Sequence, residues 1–200
     1  MVSALRMGNQ LQTAESSIEE SIETLERLKK ISPQLRRVED IIRLARDHGN
    51  IVFIFGNGGS GSTAVHFAAD LMKTATRPDV KRIKAISLND NLSLTTAWAN
   101  DASYDHVFKE QLENLMKPGD VVIAISGSGN SKNVLLATEY ARSNGGITIG
   151  LTGFDGGSLK SLASVPVVVP SNDMLRIEDT HLAICHLLVR LLRDGRTDHV

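Results

Sequence analysis

Residues 51–62 read Ile51-Val52-Phe53-Ile54-Phe55-Gly56-Asn57-Gly58-Gly59-Ser60-Gly61-Ser62, and the helix-like Thr63-Ala64-Val65-His66-Phe67-Ala68-Ala69-Asp70-Leu71-Met72 follows directly. An apolar run, a glycine-rich turn and a helix in succession form a ready anion seat in α/β proteins. Exposed backbone N–H groups and the helix dipole converge at such a turn. The unbroken apolar character of Ile51–Phe55 points to a strand buried on both faces, as in a parallel sheet.

The same strand, turn and helix pattern recurs downstream. Strands are expected at Ile83–Leu88, Val121–Ile125, Ile147–Leu151 and Val165–Val169, with helices at Tyr104–Met116, Lys132–Ser143 and Arg176–Arg193. This alternation predicts an α/β fold: a doubly wound, five-stranded parallel sheet with helices on both faces. No linker, internal repeat or low-complexity segment interrupts residues 1–200, so one domain is expected.

Upstream of Ile51 the chain reads as helix alone. Leu11, Ala14, Ile18, Ile22, Leu25 and Leu28 recur at spacings of three and four, the signature of an amphipathic helix. Its apolar stripe has two readings, contact with another subunit or cover for its own sheet. Ser32-Pro33 suits the start of a second helix carrying Leu35, Val38, Ile41, Ile42 and Ala45 and ending near Gly49.

Composition narrows the partners. The chain has 200 residues, 42% of them hydrophobic, which is enough for a sizeable core. Its 22 Lys and Arg nearly balance 23 Asp and Glu, so no field points to nucleic acid or an anionic membrane. A small ligand is the expected target. Cys185 is the only cysteine, which excludes an internal disulfide and a CxxC metal or redox site. No apolar run approaches the ~20 residues of a membrane span, and a cytoplasmic location is expected.

In a sheet of this kind ligands gather at the carboxyl ends of the strands. Gly56, Gly58 and Gly61 match G-x-G-x-x-G, yet the second strand lacks the acidic terminus that would hold a ribose. A Walker A reading fails because Ser62 and Thr63 stand where the lysine is needed. The third strand runs into Ser126-Gly127-Ser128-Gly129-Asn130-Ser131, again before a helix. Three hydroxyls, two glycines and a helix N-terminus can hold a phosphate; the same residues also suit an ordinary polar turn.

Ile125–Ser131 together with Asn57-Gly58-Gly59-Ser60 resembles the sugar isomerase (SIS) domain, whose members bind phosphorylated sugars. Within that family His66-Phe67-Ala68-Ala69-Asp70, Ala99-Asn100-Asp101, Leu151-Thr152-Gly153, Asp155-Gly156-Gly157 and Arg176-Ile177-Glu178 resemble the phosphoheptose isomerases. Those enzymes convert sedoheptulose 7-phosphate to a heptose 7-phosphate. The likeness spans nearly the whole chain, and it implies a flavodoxin-like SIS fold.

It also implies roles for single residues. Ser126, Gly127, Ser128 and Ser131 would hold the phosphate. Asn57, Gly58, Gly59 and Ser60 would line the sugar, and Asp90 and Asn91 would contact its hydroxyls. Aldose–ketose interconversion passes a proton between adjacent carbons through an enediol, so it needs an acid/base group and something to manage the oxygens. His66 and Asp70, four apart, share one helical face. Glu178 and His186, eight apart, lie about 80° from each other around theirs. Such a set can hold a divalent metal; read singly, Asp70 also suits a solvated carboxylate and His186 a packed core histidine. The resemblance implies zinc at His66, Asp70, Glu178 and His186, with Asp70 as base and His186 as its acid/base partner. Glu178 would also contact substrate. A homotetramer is the family habit.

This chain departs from the family pattern in carrying Asp70 for the usual glutamate and Glu178 for the usual glutamine. Asn91 and Leu175 stand where acidic residues are common. Three other expectations compete: a sugar-phosphate binder without turnover, resembling replication-initiation regulators of this type; an isomerase of another ketose phosphate; and, more remotely, a nicotinamide oxidoreductase.

Overall fold

The structure, a computed structural model, describes residues 13–195. Five parallel strands run β1 (Ile51–Gly56), β2 (Lys84–Ser87), β3 (Val121–Ile125), β4 (Ile147–Thr152) and β5 (Val165–Val168). Their order across the sheet is β2-β1-β3-β4-β5. The chain winds outward from β1 to β2 and then returns to the other side of β1, so the order reverses between β1 and β3, the place where doubly wound sheets bind ligands.

Strand periodicity divides the core in two. Val52 and Ile54 of β1, with Val121, Ile123 and Ile125 of β3, join one buried cluster. The intervening Phe53, Phe55, Val122 and Ala124 join another on the opposite face, as alternation of Cβ direction requires. The first face is covered by α2 (Ser32–His48), α3 (Gly58–Lys73) and α8 (Met174–Asp194) through Val38, Ile42, Phe67, Leu71, Ile184 and Leu188. The second lies under α5 (Lys109–Leu115), α6 (Lys132–Ser143) and α7 (Gly157–Leu162) through Leu112, Val134, Ala137 and Leu159. Fully apolar strands such as Val121–Ile125 follow from this double cover.

Three local expectations are revised. The leading helix, expected over residues 11–30, is α1 (Ala14–Arg27), closed by a 3₁₀ turn at Leu28–Ile31; Leu11 lies outside the described residues. The Thr13 hydroxyl oxygen starts it by accepting the Ser16 N–H, and the Ser16 hydroxyl oxygen in turn accepts the Thr13 N–H. Tyr104–Met116 is not one helix but a 3₁₀ turn at Tyr104–His106 followed by α5. Val107 and Phe108, between the two, are both buried in the second core cluster. Two short helices carry little sequence periodicity and were not expected, α4 (Leu92–Asp101) and α7.

The apolar stripe of α1 does not cover its own sheet. Ile18, Ile22 and Leu25 are 59%, 53% and 45% exposed in the single chain, whereas Leu28 and Ile31 just beyond pack on the first core cluster.

Candidate active site

β1 and β3 end in register, Gly56 beside Ile125, so the two glycine-rich loops leave the sheet about 4.8 Å apart. In the β3 loop Ser126 and Ser131 bring their hydroxyl oxygens to 3.2 Å, while Gly127 and Ser126 are buried and Ser128 is half-buried. Gly129 must be glycine there. Its φ is +67°, and a Cβ would lie 2.1 Å from the Gly156 carbonyl oxygen, well inside contact distance. Neighbouring bonds pin the loop: the Gly129 N–H donates to the Ser126 carbonyl at 2.9 Å and the Leu159 N–H to the Gly129 carbonyl at 2.9 Å. The N-terminus of α6 opens beside the hydroxyl pair, with Ser131 as N-cap making no side-chain capping bond. Its first N–H groups and these hydroxyls form a donor-rich pocket for an anion.

In the β1 loop, Asn57 precedes α3 and Gly58 and Gly59 are exposed. Ser60 is buried. Glu178 of α8 leans over Gly59 so closely that a Cβ would sit 2.6 Å from its Oε2; the glycine is what admits the carboxylate. Two residues that sequence reasoning passed over hold this loop. Asn89 donates to the Gly56 carbonyl at 2.8 Å and accepts the Gly56 N–H at 3.3 Å. Asn133 pairs amide to amide with Asn57. Nothing in their spacing marks them, because both act across the sheet end from other elements.

Asp90 is exposed. Asn91 is engaged as N-cap of α4, accepting the Leu94 N–H at 3.0 Å.

Further along, α3 and α8 lie side by side and bring His66, Asp70 and His186 together, with one potential ligand atom each within 4.8 Å of the others. His66 Nε2 is 3.4 Å from Asp70 Oδ2, His186 Nε2 is 3.7 Å from the same oxygen, and the two imidazole nitrogens are 3.4 Å apart. Ligands about 2.0–2.2 Å from a tetrahedral zinc ion lie roughly 3.3–3.6 Å from one another. Two nitrogens and a carboxylate oxygen at these separations therefore fit a divalent cation. The remaining carboxylate oxygen, Asp70 Oδ1, accepts the Thr74 hydroxyl at 2.8 Å, which fixes the carboxylate plane in the manner of an outer-shell partner.

Glu178 does not join this group. It stands eight residues before His186 on α8, about 12 Å along the axis at 1.5 Å per residue, against Gly59 instead. Two buried groups lie under the same helix. Cys185 is buried, and desolvation together with the nearby Asp70 charge pushes its thiol up. His181 places Nε2 3.1 Å from the Thr152 carbonyl oxygen, and burial pulls its pKa down to about 4.

Known proteins resemble this chain in sequence and fold. Residues 17–153 match the model of the SIS domain. A phosphoheptose isomerase of Trichlorobacter lovleyi is 44% identical over 74% of this chain and 74% of its own. One from Helicobacter pylori is 42% identical over 86% of each. The solved phosphoheptose isomerase of Neisseria gonorrhoeae superposes with a TM-score of 0.84 at 30% identity, covering 90% of this chain and 97% of that one. With paired loops at the switch point, a His-Asp-His group between α3 and α8, and relatives matched over most of their length, the chain belongs to the SIS domain family as a phosphoheptose isomerase, an aldose–ketose isomerase.

Proposed function

We propose that this isomerase interconverts sedoheptulose 7-phosphate and D-glycero-D-manno-heptose 7-phosphate, binding the phosphate at Ser126, Gly127, Ser128 and Ser131. The observation that carries this reading is the presence of two unlike groups, the Ser126–Ser131 hydroxyl pair at the strand ends and the His66, Asp70 and His186 group on α3 and α8. The β1 loop leaves the sheet beside the β3 loop, and from Gly58 in that β1 loop to His66 along α3 is eight residues, roughly 12 Å. A phosphate held at the strand ends would leave the far end of an open seven-carbon chain near Asp70 and His186. Binding at the phosphate then positions the reacting carbons.

Asp70 takes the proton from the carbon that bears the hydroxyl. The C–H electron pair becomes the enediolate double bond as the neighbouring carbonyl oxygen gains charge. His186 moves the proton between the two oxygens, and return of the carbon proton to the adjacent carbon completes the exchange. His66, Asp70 and His186 would hold zinc, which when bound polarises the carbonyl and hydroxyl oxygens. Asp70 is one methylene shorter than the family's usual glutamate, and the Thr74 bond holds that shorter arm in place. Glu178, with Asn57, Gly58, Gly59 and Ser60, lines the sugar, and Asp90 and Asn91 border the cleft beyond β2.

The functional unit in this reading is one SIS domain over residues 1–200 in a cytoplasmic homotetramer. The stripe Ile18, Ile22 and Leu25, exposed in the single chain, supports subunit contact through the leading segment. No described helix is long and apolar enough to cross a membrane.

Incubating the purified protein with five- to seven-carbon ketose phosphates tests the assignment. Aldose product from the seven-carbon substrate, reduced by chelator and restored by zinc, is expected. Saturable binding without turnover would replace the enzyme with a sugar-phosphate sensor. Preference for a six-carbon ketose would reassign the substrate.

A further inference from the structure

The loop after β1 carries a hydrogen-bond network whose proton positions can be deduced. Asn133 Oδ1 accepts the Val134 backbone N–H at 2.9 Å, and a backbone N–H can only donate, so that atom is the oxygen. The other amide atom of Asn133 is therefore the NH2 group, and it donates to Asn57 Oδ1 at 2.8 Å. Asn57 returns one hydrogen from Nδ2 to Asn133 Oδ1 at 2.9 Å. Tyr104 donates its hydroxyl to Asn57 Oδ1 at 2.9 Å. An amide oxygen has two lone pairs and an amide nitrogen two hydrogens. The Asn57 oxygen is thus saturated, and one Nδ2 hydrogen has no protein partner among the described residues.

We propose that Asn133 and Tyr104 are positioning residues that lock Asn57 as a hydrogen-bond donor toward an oxygen acceptor of the bound sugar. Asn57 in this arrangement can offer a ligand only N–H. The cleft consequently favours an acceptor at that point, a carbonyl or enediolate oxygen, over a group that must donate. Without the lock an asparagine amide turns over and presents either face, so the ordering of Asn57 is done before the substrate arrives. Asn133 is 2% exposed at the second position of α6, two residues beyond Ser131. The lock therefore ties the sugar-lining loop of β1 to the helix that opens the phosphate pocket.

The inference rests on Asn57 lining the sugar, and two measurements separate its failure from failure of the isomerase assignment. The first is a double-mutant cycle on kcat/KM. Asn133→Ala is expected to lower kcat/KM at least 10-fold in the native background and less than 2-fold when Asn57 is already alanine. Tyr104→Phe should cost about 3-fold in the first background and nothing in the second. Equal losses in both backgrounds, or unchanged kcat/KM with only a lower melting temperature, overturn the proposal. The second needs no turnover. In ¹⁵N-labelled protein, sedoheptulose 7-phosphate should shift one of the two Asn57 side-chain amide protons and leave the Asn133-bonded one in place. Both protons moving together, or neither moving, overturns the proposal whatever the enzyme assay shows; a single shift without catalysis sustains it and removes the isomerase reading.

Discussion

α8 carries two histidines five residues apart with opposite surroundings. His181 is 1% exposed, its Nε2 meets the Thr152 carbonyl oxygen at the end of β4, and its Nδ1 has no hydrogen-bond partner among the described residues. The His186 side chain is 51% exposed and faces His66 edge to face, ring centres 5.0 Å apart. Five residues turn a helix by about 140°, so one face of α8 attaches to the sheet while the other presents chemistry. Burial decides the role here, not residue type. His181 is held neutral by desolvation and works as a strut. His186 keeps access to solvent, ligand and Asp70, as a proton carrier or metal ligand must.

The sharpest way to break this division is to change the chemistry that His186 faces without touching the buried histidine. Asp70→Asn keeps size and the acceptor for the Thr74 hydroxyl but removes the base. Turnover should fall by about 10³-fold or more, within the range of general acid–base contributions, while the melting temperature stays put. A variant with normal turnover would strip Asp70 of its role. His186→Ala should follow with a loss of about 10²–10⁴-fold in kcat and weakened divalent-metal uptake by calorimetry, again without unfolding.

The buried counterpart should behave in reverse. His181→Ala leaves a cavity and removes one of two partners of the Thr152 carbonyl, which still accepts the Val169 N–H at 2.8 Å; the cavity dominates and costs about 3 kcal/mol. Urea denaturation should register that loss, and kcat of the folded fraction should stay within a few-fold of the parent. If His181→Ala instead removed activity at full stability, the division of α8 into a structural and a chemical face would be wrong.

Sequence reading reached the parts of the molecule that repeat or that follow from strand and helix period. Val121–Ile125 and Lys132–Ser143 have the bounds expected for them, because an all-apolar run before a glycine–serine turn admits few other structures. The i, i+4 pair His66 and Asp70 was visible for the same reason. What stayed hidden depends on packing between distant segments. Asn133 and Asn89 hold the β1 loop from α6 and from the end of β2, and no local pattern separates them from solvated asparagines. The eight-residue interval from Glu178 to His186 gave the angle between them but not their distance from α3. The side-by-side course of α3 and α8 sends the first to Gly59 and the second to His66.

The smallest expected effect isolates the buried histidine through pH. In the folded chain His181 titrates at about 4, against about 6.5 when exposed in the unfolded chain. Between those values the unfolded state binds a proton that the folded state refuses. Stability is therefore fully present above about pH 6.5 and declines as pH falls toward 4. At about 1.4 kcal/mol per pH unit, roughly 2 kcal/mol should be lost between pH 8 and pH 5. Other groups contribute their own pH dependence, so the informative quantity is the difference between the parent and His181→Gln, which keeps a donor for Thr152 but does not titrate. That difference should shrink by about 2 kcal/mol from pH 8 to pH 5 in urea titrations. A constant difference across the range would mean that His181 accepts its proton as readily in the folded state as in the unfolded one, and that burial does not hold it neutral.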